Sequence, residues 1–442
     1  MPFPQVQSPP PGGVEALPDF YGGLLTEARE RTLWLVAPVS DRDADRQHNS
    51  IASPLAWDLG HIAAFEDLWL CHRAGGLAPL RPDLWEVYDA TETPRSDRGQ
   101  LEFLPLREAR AFMDEVRART LEVLARANLS QSSDPLNARG FVWEMVLRHE
   151  HQHNETMLQG LQLAPAEIFV PERSPIAGLA RGSRPEMVTV AAGPFLLGAG
   201  HDEFAYDNER ALHEVELPAF AIDRTSVTVG QYLEWIEGGG YGRREHWSAE
   251  GWAWRRREDV ERPLYLGADG QTRSFERVGT PRLAEPVMHV SWFEADAFAR
   301  AHGKRLPTEA EWEKAATWDE AAGAKRTYPW GEAVPDPALA NLDQTAFAPA
   351  PVGAHPKGAS AYGVLGMVGD TWEWTASDFR AYPGFAAFPY REYSEIFFGA
   401  GYRVLRGGSW ATRARTASTT FRNWDLPQRR QIFAGFRCVG EA

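Results

Sequence analysis

Cysteine is nearly absent: Cys71 and Cys438 are the only two in 442 residues. That is too few for a disulfide framework or a thiolate metal cage. No apolar run approaches the ~20 residues that a membrane helix needs. Positive charge is in deficit, 46 Lys and Arg against 61 Asp and Glu, for a net charge of −15. With no sustained Lys/Arg cluster, the chain is unsuited to phosphate backbones or anionic membranes. The opening MPFPQVQSPPPGG has neither a basic n-region nor an apolar h-region, and reads as a flexible tail and not a secretory signal. There is no internal repeat and no glycine-rich methyltransferase-like fingerprint. The composition, 43% hydrophobic and 24% charged, is that of a cytoplasmic globular enzyme or binding protein. The length suits two or three domains.

Two halves are written in different patterns. Residues 1–20 form the expected tail. From 21 to 163 the spacing is helical, predicting an antiparallel four-helix bundle. The first helix covers Leu24 to Val36. The second opens at Ser53-Pro54, with Ser53 as N-cap and proline at the first helical position, and runs through LAWDLGHIAAFEDLWL. The third covers Leu106 to Ala127 and the fourth Phe141 to Leu163. A long connection, about Gly75 to Pro105, separates the second from the third, and such loops are often functional. Residues 164–185, rich in Pro, Gly and Arg, form the expected linker. From 186 to 442 short β-like runs alternate with loops rich in Gly, Trp and Pro. Capping boxes mark two helices there, Ser291 with Glu294 and Thr308 with Glu311, and the first stops at Gly303. This half is expected to be α+β and loop-rich, held by aromatic packing.

The sharpest local signal is His149-Glu150-His151-Gln152-His153. Positions i and i+4 share a helix face, so His149 and His153 present their imidazoles together, with Gln152 on the same stripe and His151 turned away. HEHQH also matches HExxH letter for letter, which keeps a zinc hydrolase with Glu150 as base open. His61, in the apolar second helix, is the best third ligand, and Gly60 before it allows a neighbour to approach closely. Facing helices of bundles build metal sites in this way. Three neutral nitrogens suit iron, zinc, copper or nickel, and the histidine count does not choose among them.

SPLAWDLGHI, HEHQHNETMLQ, RLPTEAEWEKAA, GDTWEWT, YRVLRGGSW and FRNWDLPQRRQIFAGFR together resemble the ergothioneine-biosynthesis sulfoxide synthases, closest to the actinobacterial type. The resemblance runs from about Leu24 to the end. It implies a DinB-like helical bundle followed by a formylglycine-generating-enzyme-like, C-type-lectin-like domain. It also implies an Fe(II) site on His61, His149 and His153, and an O2-dependent monooxygenase that joins a thiol to C2 of the hercynine imidazole and oxidises the sulfur to a sulfoxide. By the same carry-over Tyr390 or Tyr393 is the proton-donating tyrosine, with Tyr390 preferred. Gln152, Asn423 and Trp424 bind hercynine, and Arg95, Arg98 and Asp425 bind γ-glutamylcysteine.

The residue types alone leave plainer readings. Arg95, Asp97 and Arg98 would satisfy one another in a surface loop, Tyr382, Trp410 and the loop tyrosines would be packing, and Arg422 a structural ion-pair partner. His151, His201 and His213 are read as non-ligands. The C-terminal half has one cysteine where formylglycine-generating enzymes use a pair, which argues against sulfatase maturation. Alternatives stay open: the same iron chemistry with cysteine, glutathione or a selenosugar giving selenoneine, a zinc-dependent DinB-like thiol transferase, or a non-catalytic binding module. A monomer is expected.

Overall fold

The computed structural model describes residues 16–130, 133–174, 176, 186–200 and 204–442. Residues 1–15 of the expected tail, most of the expected linker from 175 onward, and His201 lie outside the described residues. The chain divides into two compact units.

The first unit runs to Pro171 and includes Phe275–Arg277. Its helices are α1 (Leu17–Val36), α2 (Leu55–Glu66), α3 (Leu106–Leu124) and α4 (Phe141–Leu163). Helix α1 begins inside the segment read as tail, because Pro18 is tolerated in a first helical turn. In α2 the N-cap position is Pro54 with no side-chain cap. Ser53, expected to cap it, instead accepts from Arg98 Nη1 at 2.8 Å. Helix α2 is buried along nearly its whole length, as an all-round apolar helix must be, and continues as a π-helix over Asp67–Ala74. Helix α3 ends at Leu124, three residues short of the expected Ala127. The long connection holds a short helix, Trp85–Tyr88, flanked by 3₁₀ turns.

Each of the four helices places one charge at the centre of the bundle. Arg29 of α1 meets Glu66 of α2 at 2.8 Å and Glu150 of α4 at 2.9 Å. Arg117 of α3 meets the same two carboxylates at 2.7 and 3.1 Å. The Thr32 hydroxyl donates to Glu150 at 2.8 Å. All four charged side chains are buried, so each must be answered by an opposite charge or a hydrogen bond.

Phe275–Arg277 belongs to the helical unit although it lies far along the chain. The Phe275 amide donates to Gln162 Oε1 at 2.6 Å, and its ring meets Phe169 edge-on at 5.3 Å. A division read linearly, with 186–442 as one domain, does not anticipate this excursion.

The second unit covers Glu172–Ser274 and Val278–Ala442. Its main strands are β1 (Met187–Val190), β2 (Gly193–Leu197), β3 (His213–Leu217), β4 (Phe220–Asp223), β5 (Trp372–Asp378), β6 (Arg403–Arg406), β7 (Asn423–Asp425), β8 (Ala434–Gly435) and β9 (Val439–Glu441). They form an antiparallel sheet β1-β4-β9, a mixed sheet β7-β6-β5-β8 and a hairpin β2-β3. Its helices are α5 (Val229–Glu237), α6 (Ala249–Arg257), α7 (Trp292–Ala301) and α8 (Glu309–Thr317). Both expected capping boxes form, at α7 and α8. A third, Thr228 with Gln231, opens α5. The sheet β1-β4-β9 packs on Trp312, Ala315 and Ala316 of α8. Irregular segments are tied down by buried ion pairs, Arg437 with Glu373 at 2.6 Å and Arg422 with Glu309 at 2.9 Å. Arg422 is thus the structural partner that the residue types suggested.

The central quartet makes acid a specific threat to the bundle. Burial alone would push the Glu66 carboxyl up, but Arg117 and Arg29 hold it down at about 2, below its usual 4.5. A depressed carboxyl stabilises the fold above its unfolded value and loses that contribution as pH falls toward the folded one. The effect is on the order of 3 kcal/mol. The thermal midpoint of Glu66→Gln should therefore lie below the parent's at neutral pH, with the gap narrowing between about pH 5 and pH 2. A gap independent of pH would contradict this.

Candidate metal centre

His61 of α2 and His149 and His153 of α4 converge, with one candidate ligand nitrogen from each lying within 4.8 Å of the others. Among the described residues this is the group of His, Cys, Asp and Glu side chains that could hold a metal ion. His61 Nε2 and His149 Nε2 stand 3.1 Å apart, close to the ~3 Å expected for adjacent nitrogens on an ion bonded at ~2.1 Å.

Each imidazole is oriented from behind. His61 Nδ1–H donates to the Tyr88 carbonyl at 2.6 Å, which leaves Nε2 bare for an ion. His153 Nδ1 lies 3.2 Å from Asp58 Oδ1, a carboxylate–histidine pair that fixes the tautomer in the same sense. His149 stacks on Phe65 with ring centroids 3.7 Å apart, and its Nδ1 is buried without a partner. Burial, then the neighbouring His153, keeps both His61 and His149 well below their usual pKa, so both are neutral donors at physiological pH. The bare Nε2 of His61 faces His149 Nε2, and a cation between the two nitrogens would be held by both. The donor set fits a first-row metal ion with positions left open for substrates.

Gly60 is required here by close approach. A Cβ at that position would run into the Tyr88 ring, and Tyr88 is the residue whose carbonyl orients His61. The neighbour anticipated beside Gly60 is therefore part of the site.

The HExxH reading is corrected by helix geometry. Glu150, one residue from His149, points away from the histidines into the buried quartet and is held by Arg29 and Arg117. It is not available as a general base. His151 is buried outside the triad, and His213 Nδ1 meets the Ala211 carbonyl at 2.8 Å.

The two arginines of the long loop differ. Arg98 is buried: Nε donates to the Thr93 carbonyl at 2.9 Å, Nη1 to Ser53, and Nη2 to the Ala90 carbonyl at 3.4 Å. Its guanidinium lies 3.6 Å from the centroid of Trp57. Trp57 in turn stacks parallel on His61 at 5.1 Å. Burial lowers the Arg98 pKa to about 10 against the opposing pull of Asp58. Arg98 therefore braces the His61 side of the centre, and is not the free surface fork that its loop position suggests. Arg95 is half-buried. Neither arginine pairs with Asp97. Gln152 is half-buried on the histidine stripe of α4.

In the second unit, β7 pairs with β6 in the register Leu405 to Asn423, Val404 to Trp424 and Arg403 to Asp425. Strand alternation puts Asn423 and Asp425 on one face and Trp424 on the other. Trp424 stacks on Phe379 at 4.2 Å and meets Tyr393 edge-on at 5.7 Å. Asp425 accepts from the Leu426 amide and lies 3.7 Å from Arg429. Tyr393 is packed into this aromatic group, stacked on Tyr206 at 4.3 Å. Tyr390 meets Tyr393 edge-on at 6.1 Å. Tyr382 and Trp410 are buried packing residues. Cys438 is fully buried and its thiol pushed well up, first by burial, while Cys71 lies in the helical unit.

Comparison with known proteins matches residues 24–157 to the DinB superfamily and residues 173–442 to the sulfatase-modifying factor enzyme 1-like domain. The chain is 46% identical over 421 residues to the hercynine oxygenase of Mycolicibacterium thermoresistibile, covering 93% of each chain. It belongs to the hercynine oxygenase family. The hercynine oxygenase of Mycolicibacterium smegmatis is 45% identical, with 93% of this chain and 96% of that one covered. The formylglycine-generating enzyme of Thermomonospora curvata is 32% identical, over 62% of this chain and 98% of its own length. The expected architecture, a helical bundle followed by an α+β domain, is thereby shown, and membership makes the chain an oxygenase. No helix among the described residues is long and apolar enough to cross a membrane.

Asp58, Tyr88 and Phe65 were not singled out by sequence reasoning. Asp58 did carry a signal: it is the one carboxylate in the run PLAWDLGHIAAF, and a carboxylate on a buried helix needs a partner. Asp58→Asn should weaken binding of a divalent metal about 10- to 100-fold, measured by competition with a chelator. Affinity equal to the parent's would remove Asp58 from the site.

Proposed function

We propose that the chain is an Fe(II)- and O2-dependent sulfoxide synthase that joins the thiol of γ-glutamylcysteine to C2 of the hercynine imidazole. The observation that carries the reading is the three-histidine cluster, set in a chain that aligns nearly end to end with hercynine oxygenases. The reaction balances. Hercynine gives up its C2 hydrogen and the thiol its S–H, the C–S bond forms, and one oxygen atom of O2 ends on sulfur while the other leaves as water.

His61, His149 and His153 would hold the iron, which when bound supplies O2 activation and open positions for imidazole and thiolate. The remaining roles fall to protein side chains. Arg95 takes a substrate carboxylate; Arg98, with three donors already committed, contributes through its remaining N–H groups and through Trp57. Asp425, held by Arg429, answers the α-ammonium group. Trp424 offers its ring to the trimethylammonium group, which accepts no hydrogen bond. Gln152 and Asn423 supply amide contacts to the amino-acid end of hercynine. Tyr390 donates the proton that O2 reduction requires and so steers the outcome away from simple thiol dioxygenation. Tyr393, locked between aromatic rings, is the less suited of the two tyrosines.

Anaerobic loading with Fe(II), followed by aerobic assay with hercynine and γ-glutamylcysteine, should give the sulfoxide by mass spectrometry with matching O2 uptake. Cysteine, glutathione and a selenosugar run as parallel co-substrates. Product from one of these alone would keep the iron chemistry and overturn the γ-glutamyl assignment. Absence of O2 uptake with all of them would overturn the oxygenase reading, and zinc-loaded protein then becomes the sample to assay. Within the active system, Arg95→Leu should raise the KM for γ-glutamylcysteine about tenfold or more with little change for hercynine. Equal effects on both substrates would make Arg95 structural.

A further inference from the structure

The turn Tyr206–Glu209 is buried throughout. Asp207, Asn208 and Glu209 are all at least 96% buried, an unusual density of polar side chains for a surface-loop region of an α+β fold. Their partners explain the cost. Asp207 Oδ1 accepts from the Ser394 hydroxyl at 2.5 Å, and Oδ2 accepts from the Phe388 amide at 3.3 Å. Asn208 Nδ2 donates to the same Ser394 hydroxyl at 2.9 Å. The segment 388–394, which contains Tyr390, is thus gripped on both sides of the tyrosine by one carboxylate. Ser394 is completely buried, so its hydroxyl has no competing solvent.

The same turn reaches the strand read as binding hercynine. The Asn208 carbonyl accepts from Arg422 Nη1 at 2.7 Å, and Arg422 also pairs with both oxygens of Glu309 at 2.9 Å. Arg422 immediately precedes β7, which carries Asn423, Trp424 and Asp425. The Tyr206 ring stacks on Tyr393, and Glu209 Oε2 accepts from the Thr420 hydroxyl at 2.6 Å. Four consecutive residues therefore fasten the tyrosine segment and the entry to β7 to a common point.

We propose that Asp207, assisted by Asn208, is a positioning residue that holds the Tyr390 segment in register with β7. The proposal rests on the reading of Tyr390 as proton donor. Asp207 touches neither substrate nor metal in this assignment and acts through Ser394 and the Phe388 amide. Burial raises the Asp207 carboxyl above its usual range and the hydrogen bonds from Ser394 and Phe388 oppose that rise, the behaviour of a carboxylate retained for its contacts. A phenol that delivers a proton must be held to within a fraction of an ångström, and small misplacements cost large factors in rate. Gripping a short loop at two points, Phe388 and Ser394, with five residues between them, supplies that constraint.

The test uses the full chain carrying Fe(II), with Asp207→Asn and Ser394→Ala made singly and in a Tyr390→Phe background. Two readouts are taken. The ratio of sulfoxide to dioxygenated thiol is expected to fall about tenfold in each single variant, with iron content unchanged. In the Tyr390→Phe background neither change should lower the ratio further, because residues acting as one unit are non-additive. Independently of turnover, hydrogen exchange of the Phe388 amide should accelerate about tenfold in Asp207→Asn. A ratio unchanged in both single variants, or a loss that adds in full to that of Tyr390→Phe, would overturn the clamp while leaving the tyrosine reading intact. Tyr390→Phe with parental product ratio would overturn the tyrosine reading itself, and unaltered exchange at Phe388 would overturn the grip.

Discussion

A metal site assembled from two helices depends on their register, and in this bundle the register is set by charge. Glu66 lies five residues beyond His61 on α2, and Glu150 directly follows His149 on α4. Both carboxylates are claimed by the same two arginines, Arg29 and Arg117, from the other two helices. A slip of one helical turn, about 5.4 Å, would strand a buried charge at a cost of about 3–5 kcal/mol. Apolar packing tolerates such slips far better, because one leucine contact substitutes for another. The quartet contributes little net stability relative to a well-packed apolar core. What it contributes is a single allowed alignment, and that alignment places His61 opposite His149 and His153.

Around the histidines the same logic operates with neutral donors. The triad is buried enough to keep His61 and His149 unprotonated, so a cation entering it displaces no protons from them at neutral pH. Negative charge is held one layer out, at Asp58, where it orients His153 and offsets the ion without occupying a coordination position. Arg98, Trp57 and His61 form a stacked column on the other side. The column ties the geometry of the ligand to Arg98, a loop residue that the family resemblance assigns to substrate.

Much of this was legible in the sequence, and the boundary is physical. Helical period fixed the face shared by His149 and His153, because i and i+4 are neighbours whatever the tertiary structure. Gly60 announced a close approach, and Tyr88 makes it. The capping boxes at Ser291 and Thr308 carried their own geometry, and the one at Thr228 with Gln231 follows the same spacing. Tertiary partnerships left no local trace. Glu150 belonged equally well to an HExxH base and to a buried ion pair until α1 and α3 were in place. Arg98 looked like a surface residue because nothing nearby in sequence reveals Ser53 or Trp57 as its neighbours. Phe275 joined the helical unit from 113 residues beyond Gln162, and Asp207 gripped a segment 181 to 187 residues away.

The account stands on three imidazoles sharing one ion. The most direct measurement is an anaerobic Fe(II) titration of the whole chain, followed by its optical and X-ray absorption spectra, repeated with His61→Ala, His149→Ala and His153→Ala. One iron per chain with three nitrogen ligands, and affinity lost in each of the three variants, is the predicted result. Tight iron binding that survives His61→Ala would contradict it, since His61 alone brings α2 to the ion that α4 holds.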